Sequence, residues 1–360
     1  MKTARERIYL FDTTLRDGQQ TPGIDFSVED KMAIAALLDD FGVDYVEGGY
    51  PGANPTDTEF FKKRRTNRAQ FVAFGMTKRA GVSASNDPGL NALLQANSDA
   101  ICLVAKSWDY HVKVALGCSN EENLESIRES VQAVVKSGRE AMIDCEHFFD
   151  GYKANPAYAL ACAKTAYEAG ARWIVLCDTN GGTQPPEIRA IVEALISAGV
   201  PGDCLGIHAH NDTGQAVANS LAAVEAGARQ IQGTLNGIGE RCGNANLSTI
   251  IANLGVKAGY DCLPADQYKN IIHVARHVDI EQLSSWNLQA FDAHMNVVDL
   301  IAQRKTDEAL QVLSDHIDIS LKRAVEITKE MVARFFLADG AASLEAVEQA
   351  DRRSQEQLTT

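Results

Sequence analysis

The sequence predicts an α/β protein in which a (β/α)8 TIM barrel is followed by a small all-helical C-terminal appendage. Three observations lead to this fold class. Eight short apolar runs rich in β-forming residues alternate with longer amphipathic patterns, several of these patterns end at a glycine, and the alternation stops after Gly255. Strands that alternate with helices pair in parallel through right-handed crossovers, and eight such units close a barrel.

The predicted elements follow one another in a regular order. The strand-like runs lie at 8–12, 45–50, 71–76, 100–106, 141–148, 173–179, 205–210 and 230–235. Amphipathic stretches between them include 28–41, 121–137, 157–169, 186–198 and 213–226. Gly42 and Gly170 each follow a helical stretch, where a left-handed glycine ends a helix at little cost. A doubly wound open sheet is the alternative, but its Gly-rich phosphate loop is replaced here by Thr-Thr-Leu-Arg-Asp-Gly at 13–18.

These patterns divide the chain into three parts. Residues 5–262 form the predicted barrel, 263–337 a helical extension, and 338–360 a polar tail that we expect to be flexible. Within the extension, helices without intervening strands are predicted at 264–278, 283–301 and 307–336.

Charge, cysteine content and hydropathy indicate which partners and which compartment the protein can have. The 360 residues carry 34 basic and 48 acidic side chains, and a net charge of −14 disfavours nucleic acid because phosphate binding depends on clustered Lys and Arg. The 8 cysteines form no Cys-x-x-Cys pair, so we expect free thiols in a reducing compartment. The sequence shows no signal-peptide pattern and no apolar run long enough to span a membrane. We therefore expect a cytoplasmic protein without a membrane partner.

Polar side chains crowd the C-terminal ends of the predicted strands, where the active sites of such barrels lie. His208 and His210 are two residues apart on the seventh strand, so they point to the same face. They can bind one cation together with Asp17 of strand one and Asn244 after strand eight, because these strands are consecutive around a closed barrel. Mixed nitrogen and oxygen ligands suit Mg²⁺, Mn²⁺, Co²⁺ or Zn²⁺. The alternative is a hydrogen-bonded histidine pair without a metal.

Other polar residues at this rim indicate the substrate. Arg16 can hold a carboxylate or stabilise a developing alkoxide, or it can form a salt bridge with Glu47 or Glu240. Thr179 offers a hydroxyl, and Glu146 offers a carboxylate that can instead be a structural partner of Arg16. A cation beside an arginine suits a 2-oxo acid, whose ketone it polarises. Two reaction classes follow: addition of a carbon nucleophile to that ketone, or the reverse cleavage of a 3-hydroxy acid.

One further histidine lies close to these residues. His147 follows Glu146 on the predicted fifth strand, and successive side chains of a strand point to opposite faces. We therefore expect His147 to be a packing residue or a residue that supports the ligand-binding side chains from behind.

Three motifs resemble the signatures of one enzyme family. LFDTTLRDGQQ at 10–20 is similar to the D-x-T-L-R-D-G-x-Q signature of the DRE-type TIM metallolyases, which include the 2-isopropylmalate and homocitrate synthases. GIHAHND at 206–212 and GIGERCGNAN at 237–246 resemble the second and third signatures. The stretches EGGYPGANPTDTEFF at 47–61 and DCEHFFDGYKAN at 144–155 are most similar to the citramalate synthase branch.

The resemblance implies a reaction and a set of site residues. The reaction is a metal-dependent Claisen-type condensation of acetyl-CoA with pyruvate to (R)-citramalate and CoA, catalysed by an acyltransferase of isoleucine and branched-chain amino-acid biosynthesis. The implied roles are divalent-metal ligands (Mg, Mn, Zn or Co) for Asp17, His208, His210 and Asn244, catalysis for Arg16 and Glu146, and substrate binding for Arg16, Gln20, Glu47 and Thr179. The resemblance also implies a homodimer that acts on small molecules.

The C-terminal part departs from the family pattern. Family synthases continue with linking subdomains that contain a Gly-Gly-Ile-His segment and with a regulatory domain, and we identify neither after Tyr260. Two alternatives therefore stay open. One is related 2-oxo-acid chemistry of the 2-isopropylmalate synthase, homocitrate synthase or hydroxy-acid lyase type. The other is a truncated barrel that binds metal and 2-oxo acid without turnover.

Overall fold

A computed structural model of the chain describes residues 5–63 and 66–282, together with Gln311. Within these residues, eight parallel strands form a closed barrel in which β1 pairs with both β2 and β8. The strands are β1 (Tyr9–Asp12), β2 (Tyr45–Gly49), β3 (Gln70–Met76), β4 (Ala100–Lys106), β5 (Glu140–Glu146), β6 (Trp173–Asp178), β7 (Leu205–Ala209) and β8 (Gln230–Gly233). The predicted (β/α)8 barrel is confirmed, and the open sheet is excluded.

Helices connect successive strands, and two more follow β8. They are α1 (Val28–Phe41), α2 (Pro55–Phe60), α3 (Pro88–Gln95), α4 (Asp109–His111), α5 (Asn120–Lys136), α6 (Phe148–Ala154), α7 (Pro156–Glu168), α8 (Pro185–Ser197), α9 (Ala216–Glu225), α10 (Leu247–Ile251) and α11 (Ile271–Gln282). Helix α1 shows how local sequence sets the bounds. Ser27 and Asp30 form a capping box at its start, and Gly42, with φ of 92°, ends it in the left-handed conformation.

The predicted strands agree with the observed ones to within a few residues, with one informative difference. Strand β5 ends at Glu146, and His147 has a left-handed backbone with φ of 53°. The expectation that His147 continues the strand was wrong, because the chain turns there into α6.

Part of the predicted C-terminal region lies beyond the described residues. Helix α11 falls within the extension expected at 263–337. The helices predicted at 283–301 and 307–336 and the tail predicted at 338–360 lie outside the described residues, Gln311 apart. Among the residues that are described, no helix is both long and apolar enough to cross a membrane.

A buried apolar cluster inside the barrel, which includes Phe11, Val72, Met142 and Trp173, determines where polar groups can face inward. Trp173, the first residue of β6, is fully buried and donates a hydrogen bond from Nε1 to the Tyr45 hydroxyl at the start of β2, over 3.0 Å. Further along β5, at the two-residue spacing of one strand face, Met142 is followed by Asp144 and Glu146. The polar inward positions therefore lie towards the C-terminal ends of the strands.

A buried ion pair fixes the loops that follow β1 and β2. The fully buried Lys31 of α1 is paired with Asp57 of α2. Its Nζ also donates to the carbonyl oxygens of Leu15, over 2.8 Å, and Gly48, over 3.2 Å. Burial lowers the pKa of Lys31, while the Asp57 carboxylate acts against that shift. Removing one partner of such a pair leaves the other charge buried without compensation.

We expect Asp57→Ala to lower the free energy of unfolding by about 3–5 kcal/mol, because the Lys31 ammonium loses its counter-charge in the interior. Urea unfolding followed by circular dichroism measures the change. Glu59→Ala, on the same helix as Asp57, removes an exposed ion pair to Lys62; it is the control and should leave stability nearly unchanged. Equal effects of the two substitutions would contradict the structural role of the buried pair.

Candidate metal centre and active site

A cavity of about 330 Å³ opens at the C-terminal ends of the strands. It is lined by Arg16, Asp17, Gln20, Tyr50, Phe74, Met76, Val104, Lys106, Asp144, Glu146, Cys177, Thr179, His208, His210 and Glu240. The structure thus brings most of the sequence-predicted site residues to one cavity. The remaining two, Glu47 and Asn244, are buried outside this lining, Glu47 against Arg16 and Asn244 in a short β-bridge with His210.

Three buried side chains, one from the loop after β1 and two from the C-terminal end of β7 and the residue that follows it, converge at the centre of the site. The ligand atoms of Asp17, His208 and His210 all lie within 4.8 Å of one another. His208 Nε2 is 3.1 Å from Asp17 Oδ2 and 3.3 Å from His210 Nε2. This arrangement of two imidazoles and one carboxylate is the one expected from the two-residue spacing of the histidines and the adjacency of the strands.

The surroundings of Asp17 and His210 shift the pKa values of both side chains. Burial would raise the pKa of Asp17, but the Arg16 guanidinium and the His208 imidazole together hold it well below the ordinary value. Burial and the neighbouring His208 lower the pKa of His210 to about 3, so that its ring is neutral at neutral pH. A carboxylate and a neutral imidazole are the forms that bind metal ions.

Two buried polar atoms next to this centre, a ring nitrogen and an amide oxygen, lack a hydrogen-bond partner within the described residues. They are Nδ1 of His210 and Oδ1 of Asn244. The Asn244 amide nitrogen donates to the Ile238 carbonyl oxygen over 3.4 Å, which directs its oxygen the other way. Buried polar atoms are rarely left unsatisfied in folded proteins. The convergent triad and the unpartnered Asn244 oxygen therefore fit a divalent cation with nitrogen and oxygen ligands.

A second layer of side chains orients His208. Gln232 Nε2 donates to Asp144 Oδ1 over 2.9 Å, so the amide oxygen of Gln232 faces His208 Nδ1, also at 2.9 Å. His208 therefore donates through Nδ1, which leaves Nε2, the atom that faces Asp17, to bind a cation in its deprotonated form. We did not identify Gln232 or Asp144 from the sequence. The sequence feature that could have identified Gln232 is the pair of glutamines, Gln230 and Gln232, at alternate positions of a buried strand.

Arg16 is held rigidly at the edge of the cavity. Its Nε donates to Glu47 Oε2 over 2.7 Å, its Nη1 lies 3.4 Å from Asp17 Oδ1, and its guanidinium carbon is 3.9 Å from the centre of the Phe74 ring. Glu47 is fully buried and also accepts a hydrogen bond from the Thr13 hydroxyl. The salt bridge between Arg16 and Glu47, one of the alternatives from the sequence, is thus present and leaves other N–H groups of Arg16 for a ligand.

Glu146 and Thr179 are held by neighbours that the sequence did not indicate. Lys106, the last residue of β4, forms an ion pair with the Glu146 carboxylate. The Ser107 hydroxyl donates to the Glu146 carbonyl oxygen over 2.7 Å. Arg241 Nη2 donates to the Thr179 carbonyl oxygen over 2.7 Å. The available signal for Lys106 was its position, a charged residue at the C-terminal end of a buried strand.

Known proteins with similar sequences and folds share this barrel. The family model described as HMGL-like matches residues 7–288. The (R)-citramalate synthase of Aquifex aeolicus is 50% identical over 276 residues, covering 76% of this chain and 52% of that protein. A probable 2-isopropylmalate synthase of Methanopyrus kandleri is 37% identical over 275 residues, with 76% and 52% covered. This chain thus spans about half the length of these curated relatives.

Solved structures support the fold. The HMG-CoA lyase of Bacillus subtilis superposes with a TM-score of 0.66 over 80% of this chain and 98% of that one, at 20% sequence identity. At that identity the similarity bears on the barrel architecture alone.

We expect Gln232→Leu to weaken Mn²⁺ binding about 10–100-fold, because His208 loses the acceptor that fixes its tautomer. Calorimetric titration of the metal-free protein with Mn²⁺ measures the affinity. Gln230→Leu is the matched control, since Gln230 lies two residues earlier on β8, is equally buried, and has no hydrogen-bond partner for its amide among the described residues. The same affinity for Gln232→Leu as for the unmodified chain would show that Gln232 does not orient the centre.

Proposed function

The chain belongs to the HMGL-like family, and from this membership and the geometry of its site we propose that it condenses acetyl-CoA with pyruvate to (R)-citramalate and CoA. One observation carries the proposal: the buried cluster of Asp17, His208 and His210 lies beside Arg16 in a single cavity. The citramalate synthase of Aquifex aeolicus is more similar to this chain than the probable 2-isopropylmalate synthase is, which favours pyruvate as the 2-oxo acid.

The shape and polarity of the cavity support a small 2-oxo acid. Phe74, Met76 and Val104 provide apolar surface on β3 and β4, where a methyl group can pack. Arg16 and the metal centre lie in the same cavity and suit the ketone and carboxylate oxygens. At about 330 Å³, the cavity is at the lower end of the range for small-molecule sites.

Asp17, His208, His210 and Asn244 would hold the divalent cation in this proposal. When bound, the cation supplies Lewis acidity that polarises the ketone. Arg16 donates an N–H group to the ketone oxygen as that oxygen gains negative charge. Since Glu47 and Asp17 already hold the guanidinium in place, little reorganisation is needed at the moment of reaction.

The other cavity residues bind and transfer protons in this scheme. The Thr179 hydroxyl donates a hydrogen bond to the carboxylate of the 2-oxo acid, and Gln20 lies beside the incoming acetyl group. Glu146, paired with Lys106, takes part in proton transfer. The acetyl methyl carbon loses a proton and bonds to the ketone carbon, and the ketone oxygen takes up a proton. Water then cleaves the thioester, which releases the CoA thiol and leaves a carboxylate.

The wider setting of this activity is also part of the proposal. We infer that the protein acts on small molecules in the cytoplasm, as a homodimer, in the synthesis of isoleucine and other branched-chain amino acids. The family resemblance of its motifs supports this setting, as do the citramalate synthases among its relatives.

We expect the full chain with Mn²⁺ or Mg²⁺ to release CoA thiol from acetyl-CoA only when pyruvate is present. Chelator should abolish the release, and added metal should restore it, because the cation polarises the ketone. A thiol reagent follows the reaction, and mass spectrometry identifies citramalate. Thiol release with a larger 2-oxo acid but not with pyruvate would contradict the proposed substrate. Metal-dependent pyruvate binding without any thiol release would contradict condensation.

Arg16→Lys should lower kcat/KM for pyruvate roughly 100-fold, because an ammonium cannot reproduce the planar guanidinium that Glu47 and Asp17 orient. Steady-state thiol release gives the value. Arg79→Lys changes an arginine that is 68% exposed and paired with Asp87 outside this cavity, and it should leave kcat/KM unchanged. A loss of less than about threefold for Arg16→Lys would remove Arg16 from the proposed catalytic role.

A further inference from the structure

The left-handed backbone of His147 is costly for a residue that is not glycine. Its φ of 53° and ψ of 35° place it in a region where the Cβ atom of an ordinary residue is crowded. It stands between Glu146, the last residue of β5, and the first residue of α6. Such conformations persist when the surrounding structure determines them, and they cluster at functional sites.

Ring packing from the β4 side holds the His147 side chain. The His147 ring meets His111 edge to face, with 4.5 Å between the ring centroids and an interplanar angle of 85°. Trp108 lies against both rings, at 6.2 Å from His147 and 4.7 Å from His111. The imidazole Nδ1 is 3.7 Å from Asp150 Oδ2, and only 16% of the side chain is exposed.

The backbone of His147 is connected to β6 by a hydrogen bond. Its N–H donates to Thr179 Oγ1 over 2.9 Å. Asp150, which faces the His147 ring, accepts a hydrogen bond from Asn180 Nδ2 over 2.8 Å. Arg241, in the segment after β8, donates to the Thr179 carbonyl oxygen. Thr179 is therefore held by hydrogen bonds to its hydroxyl and its carbonyl group, and the next residue, Asn180, is held by Asp150.

This hydrogen bond has a chemical consequence for Thr179. A hydroxyl has one proton to donate and two lone pairs to accept with. The His147 N–H group is the donor in its hydrogen bond with the Thr179 oxygen, so it does not accept the proton of the Thr179 hydroxyl. The hydroxyl proton is thus available to an acceptor in the cavity that Thr179 lines. A fixed donor suits an anionic oxygen such as a carboxylate, and bonds to charged acceptors are the stronger ones.

We propose that His147 is a positioning residue that fixes the Thr179 hydroxyl as a donor to the carboxylate of the 2-oxo acid. The inference rests on the proposed function in taking a 2-oxo acid as the ligand. In this arrangement the rings of Trp108 and His111 keep the backbone of His147 left-handed. That backbone directs the N–H group, and the N–H group orients Thr179.

Substitutions at 147 separate backbone conformation from side-chain identity. Asn and Gly tolerate a left-handed backbone, whereas the β-branched Val does not. We expect His147→Asn and His147→Gly to keep the affinity for pyruvate within about twofold, and His147→Val to weaken it roughly tenfold, the loss of about one hydrogen bond to a charged group. Calorimetry on the metal-loaded full chain measures pyruvate binding, and thermal unfolding checks that each variant is folded.

A double-substitution cycle tests whether His147 acts through Thr179. In a Thr179→Val background, His147→Val should cause no further loss of pyruvate affinity, because the oriented hydroxyl is already absent. Additive losses would overturn the proposal, and so would equal affinities for the Val, Asn and Gly variants at 147. Absence of pyruvate binding by the unmodified, metal-loaded chain is a different result, which overturns the proposed function together with this inference.

Amide hydrogen exchange provides a test that needs no ligand. The His147 amide should be protected in the unmodified chain and in Thr179→Ser, which keeps the accepting oxygen, and it should exchange faster in Thr179→Val. Equal exchange in all three proteins would overturn the hydrogen bond on which the inference depends.

Discussion

The contact between Asp17 and His208 is the interaction on which the rest of the site depends. It joins the loop after β1 to the C-terminal part of β7, and these reach each other only because β8 closes the barrel between the two strands. The Asp17 carboxylate would be unfavourable as an isolated buried charge. The Arg16 guanidinium compensates this charge and holds the pKa of Asp17 low, and the Glu47 carboxylate in turn balances the charge of Arg16.

Around this centre, rigidity is built from hydrogen bonds between neighbouring strands. Gln232 of β8 links His208 to Asp144 of β5 across the interior. Lys106 of β4 pairs with Glu146 at the end of β5. Below them lies the buried apolar cluster around Trp173, so the links that the buried Gln232 makes to His208 and Asp144 operate in surroundings of low polarity, where each is strengthened. The site is thus fixed by the scaffold before any ligand arrives.

Much of the fold and the centre of the site could be predicted from local pattern. Alternating strands and helices indicated the barrel, and the spacing of His208 and His210 placed two imidazoles on one face. Gln232 and Lys106 were not predicted, because their roles depend on which residues lie opposite across the barrel. The left-handed backbone of His147 was also not predictable, since ring packing from another loop holds it and overrides its local strand preference.

Anomalous diffraction from manganese-soaked crystals of the full chain would test the central claim most directly. We predict one strong anomalous peak within bonding distance of Asp17, His208 and His210, with the Asn244 amide oxygen turned toward it. An anomalous map with no peak between these side chains, at a manganese concentration that supports activity or pyruvate binding, would contradict the metal centre from which the proposed chemistry follows.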